Sequence, residues 1–322
     1  MSISALIPTY NRKLQVFRAI DSVLAQTLPV NEIIVVDDGS TDGTSEAIRA
    51  HYGSRVTVIR QENRGVSAAR NRAVNEARCE WVAFLDNDDV WLPTKLKRQM
   101  EALTTLGSEF GACFTNCNYF GNPDLDSTAF EEAELKINSE SGPLCNPIKH
   151  IVGANGSYVH CLCVSSLVVL RSTVKETGGF DETLGFSEDR DLIFRLSFKT
   201  EFCVISTPLV SIDRLPDLPR LTGLLAHMSD ETYAWREFIL KKMLAHSEFT
   251  DRDMRQSLKD ELIALYYGGA AERISHLRLM AALQSIYKIR HMGQTYWEII
   301  CALLARAGKK LSRTLGQQLS ES

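Results

Sequence analysis

Trp81-Val82-Ala83-Phe84-Leu85 runs directly into Asp86-Asn87-Asp88-Asp89. The five apolar residues have the length and composition of a strand buried on both faces. The polar quartet places three carboxylates at the strand's end, where they repel one another unless a cation or hydrogen-bond donors lie between them. Hard oxygen donors of this kind suit magnesium or manganese, which take one or two protein carboxylates and leave the other positions to water and substrate phosphates. The competing reading is a polar turn ahead of a helix starting near Leu92-Pro93, with aspartate acting only as a cap. The segments around the turn decide between the two.

Upstream, short apolar runs alternate with helical patterns, the signature of a parallel sheet covered by helices. Ser4–Ile7 reads as a first strand, followed by a helix through Val16, Ile20, Val23 and Leu24. Ile33–Val36 and Val56–Ile59 read as the second and third, with helices through Ala47-Ile48 and from Ala68 to Ala77. Ligands of such sheets bind at the carboxyl ends of the strands. Each strand here ends in polar residues: Pro8-Thr9-Tyr10-Asn11-Arg12, Asp37-Asp38-Gly39-Ser40-Thr41-Asp42, Gln61-Glu62-Asn63-Arg64-Gly65 and the acidic quartet. Any one of them is an ordinary turn, but four on one edge form a cleft.

Downstream, residues 118–147 are polar, acidic and rich in Asn, Pro and Ser, which predicts a long loop or excursion. Apolar patterning returns at Cys163–Leu170, ahead of Gly178-Gly179-Phe180-Asp181-Glu182. Beyond Pro219 the pattern is helical, with candidates at Leu224–Leu244, Ser257–Tyr267, Ala270–Ile289 and Tyr296–Leu315. The expected organisation is an α/β domain over 1–218 and a helical extension over 219–322.

The composition of the 322 residues, 44% hydrophobic and 24% charged, is that of a globular protein. A net charge of −4 argues against a general nucleic-acid binder, which needs a basic face. No apolar run approaches the ~20 residues of a membrane span. The start, MSISALIPTYNR, lacks the features of a secretory signal, so a cytoplasmic location is expected. The eight cysteines include the neighbours Cys113/Cys117 and Cys161/Cys163, without the paired Cys-x-x-Cys spacing of a zinc site.

Six ordered motifs make the chain resemble the family 2 glycosyltransferases of GT-A fold. They are IPTYNR at 7–12, VVDDGSTDGT at 35–44, ENRGVSAARN at 62–71, FLDNDD at 84–89, VVLRSTVKETGGFDE at 168–182 and SEDRDLIFRL at 187–196. The resemblance spans about residues 1–215 and implies a Rossmann-like mixed sheet with helices on both faces, working on a nucleotide-diphosphate sugar. It assigns Asp88 to the divalent metal (Mn2+ or Mg2+), with Asp86 at the ribose or a metal-bound water. Asp38 becomes the acceptor of a base N–H, which points to a UDP-sugar first and leaves TDP- and GDP-sugars open. Pro8, Thr9, Tyr10 and Arg12 would line the base and ribose pocket, and Arg70, with Arg64, would lie near the nucleotide or diphosphate. An inverting transfer needs a general base for the acceptor hydroxyl. The resemblance makes that base Asp189, with Glu188 orienting acceptor or loop.

The chain departs from the family's Arg-x-His pattern at Ile212-Asp213-Arg214-Leu215-Pro216, where Arg214 matches the Arg and Pro216 stands at the His position. Arg214 is therefore a candidate for the diphosphate, and Asp213 for an extra ligand. The Gln-x-x-Arg-Trp motif of processive synthases is absent, so transfer of one sugar to a glycan or lipid-linked glycan acceptor is expected. Two other readings are a sugar-nucleotide-binding module with degraded catalysis and a nucleotidyltransferase, although the latter's Gly-rich triphosphate loop is missing. The tail from Tyr296 to Arg313 joins apolar residues to a basic end. It fits helix packing on the domain, a homo-oligomer contact, or a peripheral contact with the inner face of the plasma membrane.

Overall fold

The computed structural model describes residues 1–121, 127–133, 135, 139–144, 147, 162–214, 230–275 and 279–292. The chain divides into two compact units, one of Met1–Gly153 with Ser157–Pro219 and the other of Ala154–Gly156 with Arg220–Ser322. In the first unit β1 (Ile3–Thr9), β2 (Glu32–Asp37), β3 (Thr57–Arg60) and β4 (Trp81–Phe84) lie in the order β3-β2-β1-β4, all parallel. Their apolar runs are continuous rather than alternating because helices cover both faces. Ile3, Ala5 and Ile7 of β1 join Val16, Ile20 and Val23 of α1 (Lys13–Leu24) in one buried cluster. The i, i+4, i+7 spacing of the helical residues puts them on one stripe. α2 (Thr44–Tyr52) follows β2, and α3 (Val66–Glu76) packs on β1 and β2 through small residues, Ala69 and Ala73, which let the helix approach the sheet closely.

Past the acidic quartet the sheet is mixed. β5 (Val90–Trp91) precedes α4 (Lys95–Leu106), so the helix expected near Leu92 begins after Pro93, which cannot continue a ladder. β6 (Phe110–Phe120) is an 11-residue strand, and its last residues Asn118–Phe120, expected as loop, pair with Ser211–Asp213 of β9 (Glu201–Asp213). A partner distant in sequence turned polar residues into a ladder. Within the expected excursion, α5 (Ala129–Glu132) starts with a capping box from Thr128 to Glu131, and β7 (Ser141–Pro143) pairs with β9. Much of 118–160 lies outside the described residues.

β8 (Val168–Leu170) runs antiparallel to β4, β6 runs antiparallel to β8, and β9 runs parallel to β6. Two reversals restore the direction of β4, so β9 ends at Asp213 on the edge where the first four strands end. α6 (Arg171–Glu176) and α7 (Glu188–Leu196) fill the segment between β8 and β9.

The second unit contains α8 (Asp230–Ala245), α9 (Arg252–Ser275) and α10 (Leu279–His291). α9 passes straight through Gly268-Gly269, where a break was expected. Each glycine costs about 1 kcal/mol in a helix interior. Burial of Leu258, Leu262, Leu265, Tyr266 and Tyr267 along the same helix offsets this. Glu237 accepts from Lys241 (2.7 Å), Lys288 (2.6 Å) and Tyr266 (3.0 Å), tying the three helices together. The helix expected at Tyr296–Leu315 lies outside the described residues. Among the described residues no helix is long and apolar enough to cross a membrane.

Candidate active site

The first two loops of the carboxyl edge are joined by short polar side chains. Asn11, at φ 49°, accepts from the Thr41 amide (2.8 Å) and donates its own amide to Ser40 Oγ (2.8 Å). Asp37 accepts from the Ser40 amide (2.8 Å) and from the Ser45 hydroxyl. Asp38 donates its amide to the Thr9 carbonyl (2.9 Å). Its carboxylate, in a residue only 5% exposed, accepts from Gln61 Nε2 (2.8 Å) and the amides of Arg64 (3.0 Å) and Gly65 (2.8 Å). Asp38 therefore welds the β3 loop to the β2 loop, and three donors on two oxygens leave one acceptor position. Gly39 has φ 85°, and a Cβ there would stand 3.0 Å from the Asn63 amide nitrogen, so only glycine fits this approach. Pro8 and Thr9 are buried, Tyr10 is exposed and Arg12 is half-buried at the start of α1. Thr9 Oγ1 is buried without a hydrogen-bond partner.

The acidic quartet forms a turn closed by the Asp89 amide on the Asp86 carbonyl (3.2 Å). Asp86 and Asp88 are half-buried, whereas Asp89 points inward. Ser165 Oγ accepts from the Asp86 amide (3.0 Å) and donates to Asp89 Oδ2 (2.6 Å). Asp89 Oδ1 accepts from the Asp213 amide (3.3 Å). Burial, reinforced by the charges of Asp88 and Asp86, pushes the Asp89 carboxyl well above the usual carboxylate range. Ser165 and the inward role of Asp89 were not foreseen, since Ser165 belongs to none of the six motifs and the local sequence does not show which way Asp89 turns.

Arg70 joins this turn to α7. Its guanidinium, in a residue 3% exposed, donates to Asp86 Oδ1 (2.7 Å) and Glu188 Oε1 (2.6 Å) and stacks on Phe180 at 5.1 Å. It meets Asp86 and Glu188 rather than projecting freely toward a diphosphate, and those two charges raise its pKa despite its burial. Burial raises the pKa of Glu188 although Arg70 pulls it down. Burial likewise raises that of Asp189, with Arg70 lowering it and Asp86 adding to the rise. Ser187, just before these acids, holds φ 59°, a conformation that costs a non-glycine residue on the order of 1 kcal/mol. The loop ahead of α7 is fixed by Asn71, which accepts from the Phe180 amide (2.8 Å) and donates to its carbonyl (2.8 Å). Arg195 donates to the carbonyls of Thr177 (2.6 Å) and Gly179 (2.8 Å). Arg64 reaches Glu182 (2.8 Å) at the surface of the same loop.

At the end of β9, Arg214 stacks on Tyr119 at 5.2 Å. Asp213 is buried, and one oxygen of its carboxylate is bound to Arg18 (2.8 Å). Pro216 lies outside the described residues. Among the described residues no group of three or more His, Cys, Asp or Glu side chains forms a metal cage by itself. The carboxylate oxygens of the acidic turn fit magnesium or manganese, for which one or two carboxylates beside a substrate diphosphate suffice. The mutual charge on Asp86, Asp88 and Asp89 is what such an ion would relieve.

A mixed sheet with its acidic turn at the end of β4, an Asp38 loop at the end of β2 and an acidic helix start joined to the turn through Arg70 is the arrangement of a GT-A-type glycosyltransferase fold. Residues 4–140 match the model described as glycosyl transferase family 2, and the chain carries a glycosyltransferase domain of that family. Glycosyltransferase RT0329 of Rickettsia typhi is 28% identical over 248 residues, 74% of this chain and 72% of that protein. The Escherichia coli protein named UDP-Glc:alpha-D-GlcNAc-diphosphoundecaprenol beta-1,3-glucosyltransferase WfaP is 34% identical over 137 residues, 42% of this chain and 53% of its own length. In structure, S. aureus TarS 1-349 in complex with UDP-GlcNAc matches with a TM-score of 0.68 at 17% identity, over 91% of this chain and 81% of that one, a likeness of fold.

Proposed function

We propose that this protein is an inverting glycosyltransferase that moves one sugar from a nucleotide-diphosphate sugar, UDP-linked in first place, to a hydroxyl of a cell-surface glycan or its lipid-linked precursor. One observation carries the reading: Arg70 holds Asp86, on the donor side, and Glu188, on the acceptor side, in a single buried guanidinium (2.7 and 2.6 Å). This fixes the spacing between the carboxylate that meets the donor and the helix start that meets the acceptor, and fixed geometry is where much of the rate of a two-substrate reaction originates. Asp38, with its remaining acceptor position, and the unpartnered Thr9 hydroxyl suit a base and ribose.

In the reaction the acceptor oxygen attacks the anomeric carbon, and its proton passes to Asp189. The bond from that carbon to the diphosphate breaks with its electron pair, and the nucleoside diphosphate departs. Burial raises the pKa of Asp189, making it a stronger base than a solvated aspartate. Asp88, with Asp86 beside it, would hold a divalent Mn2+ or Mg2+ whose chemistry is to neutralise charge on the departing diphosphate. Arg214 adds a cation at the same edge. The domain boundary near 218, the acceptor contacts of the helical extension and a cytoplasmic location at the inner membrane face belong to the same proposal. The lipid-diphosphate acceptor in the name of the E. coli relative supports this choice of acceptor class.

The test is titration of UDP, TDP and GDP with and without Mn2+, followed by Asp189→Asn. Metal-dependent binding of one nucleotide, retained in Asp189→Asn while transfer is lost, is the expected result. Binding that is indifferent to metal and to Asp88→Ala would overturn the donor-site assignment.

A further inference from the structure

Ser165 lies behind the acidic turn and belongs to none of the six motifs, and Asp89, the last residue of the turn, has no role assigned to it by the motif that contains it. Both are buried, and their hydrogen bonds form a continuous chain from the Asp86 amide through Ser165 Oγ (3.0 Å) to Asp89 Oδ2 (2.6 Å), then from Asp89 Oδ1 to the Asp213 amide (3.3 Å). Ser165 is itself anchored, because its carbonyl accepts from Trp91 Nε1 (2.8 Å). Beyond Asp213 the chain continues through that residue's carboxylate to Arg18 (2.8 Å). The tie thus crosses the entry to β8, the acidic turn and the end of β9, which carries Arg214.

We infer that Ser165 and Asp89 are positioning residues that set the orientation of the Asp86–Asp88 turn for the metal-linked diphosphate, and that Asp89 acts through its hydrogen bonds rather than as a ligand. This inference rests on the proposed donor site. The turn has only four residues, and the Asp89 amide on the Asp86 carbonyl (3.2 Å) closes it from within. From outside the turn, Ser165 holds the Asp86 amide, Arg70 holds the Asp86 carboxylate and the Asp213 amide holds Asp89. A carboxylate with both oxygens accepting from the protein interior is poorly placed to turn toward a substrate.

The test uses the full-length protein and titration of UDP with and without Mn2+, reading the gain in affinity that the metal brings. Ser165→Ala removes the acceptor of the Asp86 amide and the donor to Asp89, and the metal-dependent gain should fall by about tenfold with metal-free binding unchanged. Asp89→Ala should lose at least as much. Asp89→Asn, whose amide group can hydrogen-bond Ser165 while its oxygen keeps the Asp213 bond, should recover most of that loss, which a ligand role would not permit. Amide hydrogen exchange of the ligand-free protein should show faster exchange at Asp86 in Ser165→Ala. An undiminished metal-dependent gain in Ser165→Ala, or a loss in Asp89→Asn as deep as in Asp88→Ala, would overturn the inference alone. Absence of nucleotide binding by the unaltered protein would remove the donor-site reading and this inference with it.

Discussion

Replacing Arg70 by Met should cost more stability at pH 8 than at pH 5, and the structure says why. The guanidinium bonds two carboxylates of unequal exposure: the Asp86 side chain is 34% exposed and can be rehydrated, whereas that of Glu188 is 10% exposed and cannot. Removing one partner of a buried ion pair costs about 3–5 kcal/mol. Glu188 escapes part of this by taking a proton, and its pKa is already raised by burial with Arg70 present. Without Arg70 it rises further. A folded-state pKa above the unfolded value of about 4.3 makes stability fall as pH rises, by up to ~1.4 kcal/mol per pH unit in the window between the two values. Urea unfolding followed by Trp fluorescence should therefore show a moderate loss in Arg70→Met at pH 5 and a large one at pH 8, and Arg70→Met/Glu188→Gln should regain most of the pH 8 loss. Equal loss at both pH values, or no recovery in the double variant, would refute the view that Arg70 is needed chiefly to neutralise Glu188.

Lys95 is buried, stacks on Trp91 at 4.2 Å and donates to Gln99 Oε1 (2.9 Å), and burial lowers its pKa to about 7. Between pH 7 and the unfolded value of about 10.4 the unfolded chain binds more protons, so stability should rise with pH there by up to ~1.4 kcal/mol per unit. Lys95→Met should flatten that rise in denaturant titrations. Gly39→Ala should lose about 1–3 kcal/mol, because φ 85° and the Asn63 amide at 3.0 Å both oppose a Cβ, and should weaken nucleotide binding by displacing Asp38. Asp189→Asn should lower the transfer rate by about 10²–10⁴, and the unaltered enzyme's rate should rise with pH through the raised pKa of Asp189, a slope absent from the variant.

Much of the parallel half of the sheet was legible. Ser4–Ile7 and Ile33–Val36 lie inside strands and the expected strand Trp81–Leu85 runs one residue past β4, because continuous apolar runs of this kind are buried on both faces, and the polar residues after them end at one edge as parallel pairing requires. The other half was not. Asn118–Phe120 reads as loop and is strand because Ser211–Asp213 lies beside it, and Gly268-Gly269 reads as a break and is helix because Leu265, Tyr266 and Tyr267 just before it are buried.

By itself the sequence determined the order of strands and helices along the first 85 residues and which residue types stand where those strands end, since both follow from local periodicity and from the chemistry of short polar segments. Only the tertiary structure decided what those residues meet. The family motif singles out Asp88, but the local sequence does not show which way Asp89 turns. Asp89 turns inward because Ser165, 76 residues away, and the Asp213 amide, 124 residues away, offer it hydrogen bonds. Arg70 faces Glu188 across 118 residues. Pairings over such separations are set by sheet order and by two reversals of strand direction, and no local pattern encodes them.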